Sequence, residues 1–102
     1  MFGNLEDMQE EMRAQLTNII VKSEAGGGLV KVEANAARQI TNISIDPQFL
    51  QSAEAEEVED LLLVALNQAL AQATEQEAAQ TREMVQKMMS GGLGGLANLF
   101  GS

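Results

Sequence analysis

The chain has 102 residues, contains neither cysteine nor histidine, and carries a formal net charge of −9 from six basic and fifteen acidic side chains. This length suits one small domain, and the missing residue types exclude disulfides, thiolate nucleophiles, imidazole bases and soft metal sites. The negative charge repels a bare polyanion such as DNA at long range, so any nucleic-acid function must rest on locally clustered basic groups.

A first helix is predicted from about Asn4 to Thr17. Asn4 is a suitable N-cap, and the carboxylate of Asp7 suits the positive end of the helix dipole. Apolar residues recur every three or four positions along one stripe, which predicts a packing face. The members of this stripe are Leu5, Met8, Met12, Leu16 and Ile19.

Three strands are predicted next, over residues 19–24, 29–34 and 39–45, because these segments are β-branched or alternate apolar with polar residues. The glycines at 26–28 lead into a strand rather than a helix, and no Lys-Ser or Lys-Thr follows, so they predict a turn and not a phosphate loop. Asn35-Ala36 is predicted to form the second turn, where Asn tolerates a positive φ. Asp46-Pro47 ends the third strand. Together, these strands and turns predict a three-stranded antiparallel sheet.

A long helix, capped by Ser52, is predicted from Ala53 to about Met89, on the order of 55 Å. Its first half has a dense apolar face, whereas the segment from Thr74 to Arg82 is almost entirely polar or Ala. We therefore expect the first half to cover the sheet and the second half to project or to meet a partner helix. A break near Thr74 is the alternative.

The acidic residues at the start of this helix do not predict a metal site. Their spacing lacks the alternating ligands and the glycine of a calcium loop, and carboxylates are favourable at a helix N-terminus. The residues are Glu54, Glu56, Glu57, Glu59 and Asp60.

Residues 91–102 combine repeated Gly-Gly pairs with Leu and Phe. Gly-Gly pairs oppose a stable helix, so we predict one domain over residues 1–90 and a flexible tail over residues 91–102.

The sequence also indicates an oligomer. Three Phe are its only aromatic residues, so the core must consist of Leu, Ile, Val, Met and Ala, which suits a core shared by two copies. No basic-then-apolar leader follows Met1 and no apolar run approaches eighteen residues, so we expect neither secretion nor a membrane span. The lack of cysteine fits a reducing cytoplasm.

No arrangement of catalytic groups is evident. Nucleophilic catalysis needs an activated Ser, Thr, Cys or Lys beside a base, and the sequence has no Gly-x-Ser-x-Gly or Ser-x-x-Lys motif. A carboxylate pair for glycoside cleavage would need a cleft and aromatic platforms. We therefore expect no enzyme, no catalytic residue, no metal and no cofactor.

Several segments resemble the YbaB/EbfC family, and together they cover most of the chain. They are Met1-Phe2-Gly3, Gly28-Leu29-Val30-Lys31-Val32, Asn35, Ile43-Ser44-Ile45-Asp46-Pro47, and Glu59-Asp60-Leu61 with Ala65, Asn67 and Ala69. The resemblance implies an α+β protomer of order α-β-β-β-α, with long N- and C-terminal helices. It further implies a tight homodimer whose helices project like arms, and a DNA-binding role in the bacterial nucleoid, in the cytoplasm.

Two functions are consistent with these observations. In the first, the dimer binds duplex DNA weakly and without sequence preference, and Arg13, Arg82 and Lys87 of each chain contact phosphates. In the alternative, the dimer is an acidic scaffold that binds a protein partner through its Met-rich helix ends and the C-terminal tail, because Met surfaces adapt to varied partners.

Overall fold

The computed structural model describes the backbone of residues 2–99 and the side chains of residues 6–89. The elements in chain order are α1 (Phe2–Thr17), β1 (Ile20–Ala25), β2 (Val30–Asn35), β3 (Ile40–Ile45), α2 (Pro47–Ser52) and α3 (Ala55–Leu99). The predicted α+β class and the α-β-β-β-α order are confirmed. The short helix α2 is an addition that the sequence analysis missed.

The strands form one antiparallel sheet in the order β1-β2-β3. Ser23 of β1 lies opposite Val32 of β2, and Val32 lies opposite Ile43 of β3. Alternate residues of β1 and β2 are buried against α3, as expected for a sheet with one covered face.

The opposite face of the sheet is polar and open. Lys22 lies opposite Glu33, and Glu24 lies opposite Lys31. The Nζ atom of Lys22 is 3.4 Å from Oε1 of Glu33. Cross-strand pairs of opposite charge support the register of β1 and β2.

The contact between α3 and the sheet depends on small side chains. Ala65, Ala69 and Ala73 recur at four-residue spacing, so they share one face of the helix, and all three are fully buried. Beneath them, the Ser23 hydroxyl donates a hydrogen bond of 2.6 Å to the Ala65 carbonyl oxygen. These residues allow the helix backbone to approach β1 closely.

Helix α3 is continuous, so the alternative of a break near Thr74 is wrong. The Thr74 hydroxyl instead donates to the Leu70 carbonyl oxygen at 2.9 Å, within the helix. The 45 residues of α3 span about 68 Å, close to the 72 Å length of the molecule. The first half covers the sheet as predicted, and the second half projects beyond it.

The C-terminal end of α3 lies further along the chain than predicted. The helical backbone reaches Leu99, ten residues beyond the predicted end at Met89. The side chains from residue 90 onward lie outside the described part of the chain. The flexible tail over residues 91–102, and the domain boundary at residue 90, stay predictions.

The predicted capping role of Ser52 is wrong. Ser52 is the last residue of α2, and its hydroxyl donates to the Gln48 carbonyl oxygen at 3.0 Å. Asp46 caps α2 by accepting a 3.0 Å hydrogen bond from the Phe49 amide, and Pro47 occupies the first turn. Asp followed by Pro is a helix-start signal as well as a strand terminator, which explains why α2 was missed.

Helix α1 is anchored at its C-terminal end. The Ala36 amide donates to the carbonyl oxygens of Leu16 (3.0 Å) and Ile19 (2.9 Å), and Leu16 is buried. Met12 is half-buried and Met8 is exposed, whereas the side chain of Leu5 lies outside the described residues. Among the side chains that the structure describes, the predicted packing face of α1 is therefore most buried near Leu16.

Candidate nucleic-acid interface

The turn between β2 and β3 is built around the buried side chain of Asn35. Its Oδ1 accepts hydrogen bonds from the amides of Ala37 (3.0 Å) and Gln39 (3.2 Å). Its Nδ2 donates to Oε1 of Gln39 at 2.8 Å. Such side-chain bonds replace backbone partners within a tight turn, so Asn35 fixes this loop through its amide group.

The positive φ of this turn lies at Arg38, where φ is +65°. The turn predicted at Asn35-Ala36 begins one residue later than expected, since Asn35 is the last residue of β2 and Ala36 is in the turn. Arg has no intrinsic preference for positive φ, and no sequence signal pointed to Arg38. The Arg38 amide donates to the Asn35 carbonyl oxygen at 3.0 Å, which holds it in place.

Arg38 connects the turn to α3. Its Nε lies 3.8 Å from Oε2 of Glu77, and the two side chains are 57% and 32% exposed. A pair this exposed contributes little to folding stability. The ion pair instead determines where the Arg38 guanidinium lies, because it keeps this group beside α3.

Arg13 of α1 faces the same region. A shallow groove of about 330 Å³ lies between α1, the β2–β3 turn and α3. We call it the Arg13–Arg38 groove, and its lining residues are Gln9, Met12, Arg13, Leu16, Ala37, Arg38 and Glu77. Among the described residues, Arg13 has no ion-pair partner.

Arg82 and Lys87 lie further along the projecting half of α3, and both are exposed. Five residues separate Glu77 from Arg82, and another five separate Arg82 from Lys87. Each step is about 7.5 Å along the axis and roughly 140° around it. The predicted contact residues thus occupy α1 and two sides of α3, rather than one cluster. Arg38, which the sequence analysis missed, is the basic residue that shares a groove with Arg13.

The described residues offer no other obvious chemistry. No three metal-ligating side chains converge within this part of the chain. Over the same residues, no helix combines the length and apolar character needed to cross a membrane.

Comparison with known proteins identifies the family. The profile of the YbaB/EbfC DNA-binding family matches residues 1–89. The chain belongs to this family. The resemblance found in the sequence is thereby confirmed, and the match contains all three predicted contact residues.

Similar proteins occur in several bacteria. A nucleoid-associated protein of Rhodopseudomonas palustris (strain HaA2) is 40% identical over 90% of this chain and 82% of its own length. A nucleoid-associated protein of Bradyrhizobium diazoefficiens is 38% identical over 97% of this chain and 89% of its own length.

A solved structure has a fold similar to that of this chain. An uncharacterized protein from Helicobacter pylori superposes with a TM-score of 0.64, covering 81% of this chain and 96% of that protein. The sequence identity is 22%, so this similarity concerns the fold alone.

Proposed function

We propose that this YbaB/EbfC-family protein is a non-enzymatic, homodimeric nucleoid-associated protein of the bacterial cytoplasm that binds duplex DNA weakly and without sequence preference. Family membership and the names of the relatives support the DNA-binding role. The structural observation that supports the proposal is that Arg13 and Arg38 share one groove, which gives a local grouping of basic side chains in a chain of negative net charge. Arg13, Arg38, Arg82 and Lys87 are exposed on α1, the β2–β3 turn and the projecting half of α3, outside the core.

Contacts to phosphates explain the expected weakness and lack of specificity. Arg13, Arg82 and Lys87 supply three cations per chain, since Arg38 is already paired with Glu77, whereas each chain carries a net charge of −9. Such contacts position a protein on DNA but carry no sequence information. Because binding releases condensed counterions, affinity must fall steeply as the salt concentration rises.

The homodimer is supported by an uncovered apolar surface on β3. Ile43 lies opposite Val32 in the register and therefore points to the same face of the sheet. Val32 is 1% exposed beneath α3, whereas Ile43 is 45% exposed. Helix α3 thus covers Val32 of β2 and leaves Ile43 of β3 open.

Exposed apolar residues of α3 form the second part of the dimer surface that we infer. Leu63 and Leu70 are exposed. Viewed down the helix axis, both lie about 100–120° from the buried residue Ala69. They lie on the same side of the helix as the half-buried Leu66. We call the surface formed by Ile43, Leu63 and Leu70 the β3 apolar surface. A second copy of this chain would bury the β3 apolar surface. That burial would increase the free energy of unfolding of a protein whose own aliphatic core is small.

A salt-titrated duplex-binding measurement tests the function. We expect a dissociation constant in the micromolar range or weaker at about 50 mM salt, with no dependence on DNA sequence. Six phosphate contacts per dimer would lower the affinity about 10³-fold between 50 and 200 mM salt.

Two double variants test which surface is used. The double variant Arg82→Ala/Lys87→Ala should bind all DNA sequences more weakly by the same factor. Its affinity should also fall less steeply as the salt concentration rises. The double variant Lys22→Ala/Lys31→Ala, on the open face of the sheet, removes the same charge. It should lower the affinity for DNA much less. Absence of wild-type binding at low salt, or equal losses in the two double variants, would contradict the proposal.

A further inference from the structure

The Arg13–Arg38 groove combines two guanidinium groups with one carboxylate. We propose that this groove is a phosphate-binding site, and that Glu77 is an internal competitor that holds Arg38 until a phosphate group of DNA replaces its carboxylate. The identity of the ligand rests on the proposed DNA-binding function. The groove itself follows from the geometry of α1, the β2–β3 turn and α3.

The charges of the groove favour an anion. Arg13, Arg38 and Glu77 are the charged residues of its lining, and the other four are uncharged. The lining therefore carries a net positive charge within a chain of net charge −9. Glu6 and Glu10 lie beside Arg13 in the adjoining depression, so they limit affinity but do not line the groove.

The existing contact of Arg38 is weak enough to be exchanged. The 3.8 Å distance from Nε to Glu77 is longer than the roughly 2.7–2.9 Å of a charge-assisted hydrogen bond. Guanidinium has five N–H donors in a planar fork that matches two phosphate oxygens. A phosphate can therefore form two short hydrogen bonds where Glu77 provides only charge attraction.

The backbone of the turn places Arg38 for this exchange. Its left-handed conformation is uncommon for a residue with a side chain. The hydrogen bonds of Asn35 to Ala37, Arg38 and Gln39 maintain the turn. The guanidinium thus projects from a fixed position toward α3, and only the side chain has to move when the partner changes.

Glu77→Gln tests the proposal, with Glu75→Gln as the matched control. Glu75 is exposed on the same helix, so both variants remove one carboxylate, but Glu75 does not line the groove. With a 20-base-pair duplex, Glu77→Gln should tighten binding roughly two- to fivefold per groove. It should also steepen the salt dependence by about one unit per groove, because in the wild type the displaced Glu77 carboxylate takes up a cation that offsets the one released from the DNA, and the variant has no such carboxylate. Glu75→Gln should leave both quantities nearly unchanged.

A double variant tests whether Glu77 acts through Arg38. Arg38→Gly removes the side chain while tolerating the positive φ. If the proposal is right, Glu77→Gln should no longer tighten binding in the Arg38→Gly background. Equal tightening by Glu77→Gln and Glu75→Gln, or a gain that persists without Arg38, would overturn it.

A separate probe distinguishes failure of the groove from failure of the DNA-binding function. If neither the wild type nor Glu77→Gln binds the duplex at low salt, the DNA-binding function is wrong. The groove is then tested with tripolyphosphate, by the NMR signal of the Arg38 Nε–H group. A shift that is larger in Glu77→Gln than in Glu75→Gln would still support a phosphate site, and no shift in either variant would overturn it.

Discussion

Gly26 and Gly27 have almost the same backbone conformation in the β1–β2 turn but different surroundings. Their φ angles are +68° and +69°. A Cβ atom built on Gly26 would lie 2.7 Å from Cδ1 of Leu61, whereas a Cβ atom on Gly27 would have no neighbour within 4 Å. The two positions therefore separate the cost of backbone strain from the cost of lost packing against α3.

We expect Gly27→Ala to lower the free energy of unfolding by about 1 kcal/mol, because only the left-handed backbone is penalised. Gly26→Ala should cost about 1 kcal/mol more, since Leu61 must also leave its position against the sheet. Thermal denaturation of both variants at one protein concentration measures the difference. Equal melting temperatures would show that Leu61 moves aside without loss of packing.

At the residue scale, the sequence predicted what depends on local stereochemistry. Three consecutive glycines require a turn whatever surrounds them. The position of Arg38 was not predictable in this way, because its conformation depends on the buried amide group of Asn35 and its direction depends on Glu77, 39 positions further along the chain. The position of the missed residue, Arg38, thus depends on tertiary contacts and not on the local sequence.

At the element scale, the contact between α3 and the sheet requires small residues on one helix face. We expect Ala69→Leu to lower the free energy of unfolding by about 1–3 kcal/mol, because the larger side chain separates the helix from β1 and β2. That corresponds to a fall in melting temperature of at least about 4 °C in a domain of this size.

Ala71→Leu is the control for this substitution. Ala71 is exposed on the opposite face of the same helix, and Leu and Ala have similar helix propensities, so its effect should stay within about 0.5 kcal/mol. If both variants melted at the wild-type temperature, the close approach of α3 to the sheet would not be required for stability.

The elements themselves were predictable where periodicity is strong. The three strands and the apolar first half of α3 follow from spacing alone. Helix α2 was missed because Asp46-Pro47 signals both the end of a strand and the start of a helix. The apolar stripe of α1 was correctly placed on a helix, but spacing does not say what covers it, and among its described side chains burial in the single chain is greatest at Leu16.

At the scale of the whole molecule, the single chain is markedly extended. Its radius of gyration is 20.2 Å, compared with about 13 Å for a compact domain of 100 residues. The extension comes from α3, whose second half carries Arg82 and Lys87. The shape leaves apolar side chains exposed on both β3 and α3, and a dimer through the β3 apolar surface would bury some of them.

We expect light scattering at micromolar concentration to give about twice the 10.9 kDa chain mass. Ile43→Asp should weaken the dimer at least about 100-fold, because it would bury an unpaired carboxylate in the interface. Ile20→Asp is the matched control, since Ile20 is 51% exposed and Ile43 is 45% exposed, but Ile20 lies on β1 at the far edge of the sheet. If the dimer persists in Ile43→Asp, the interface does not lie on β3. If the wild type is a folded monomer, the prediction of a dimer is wrong.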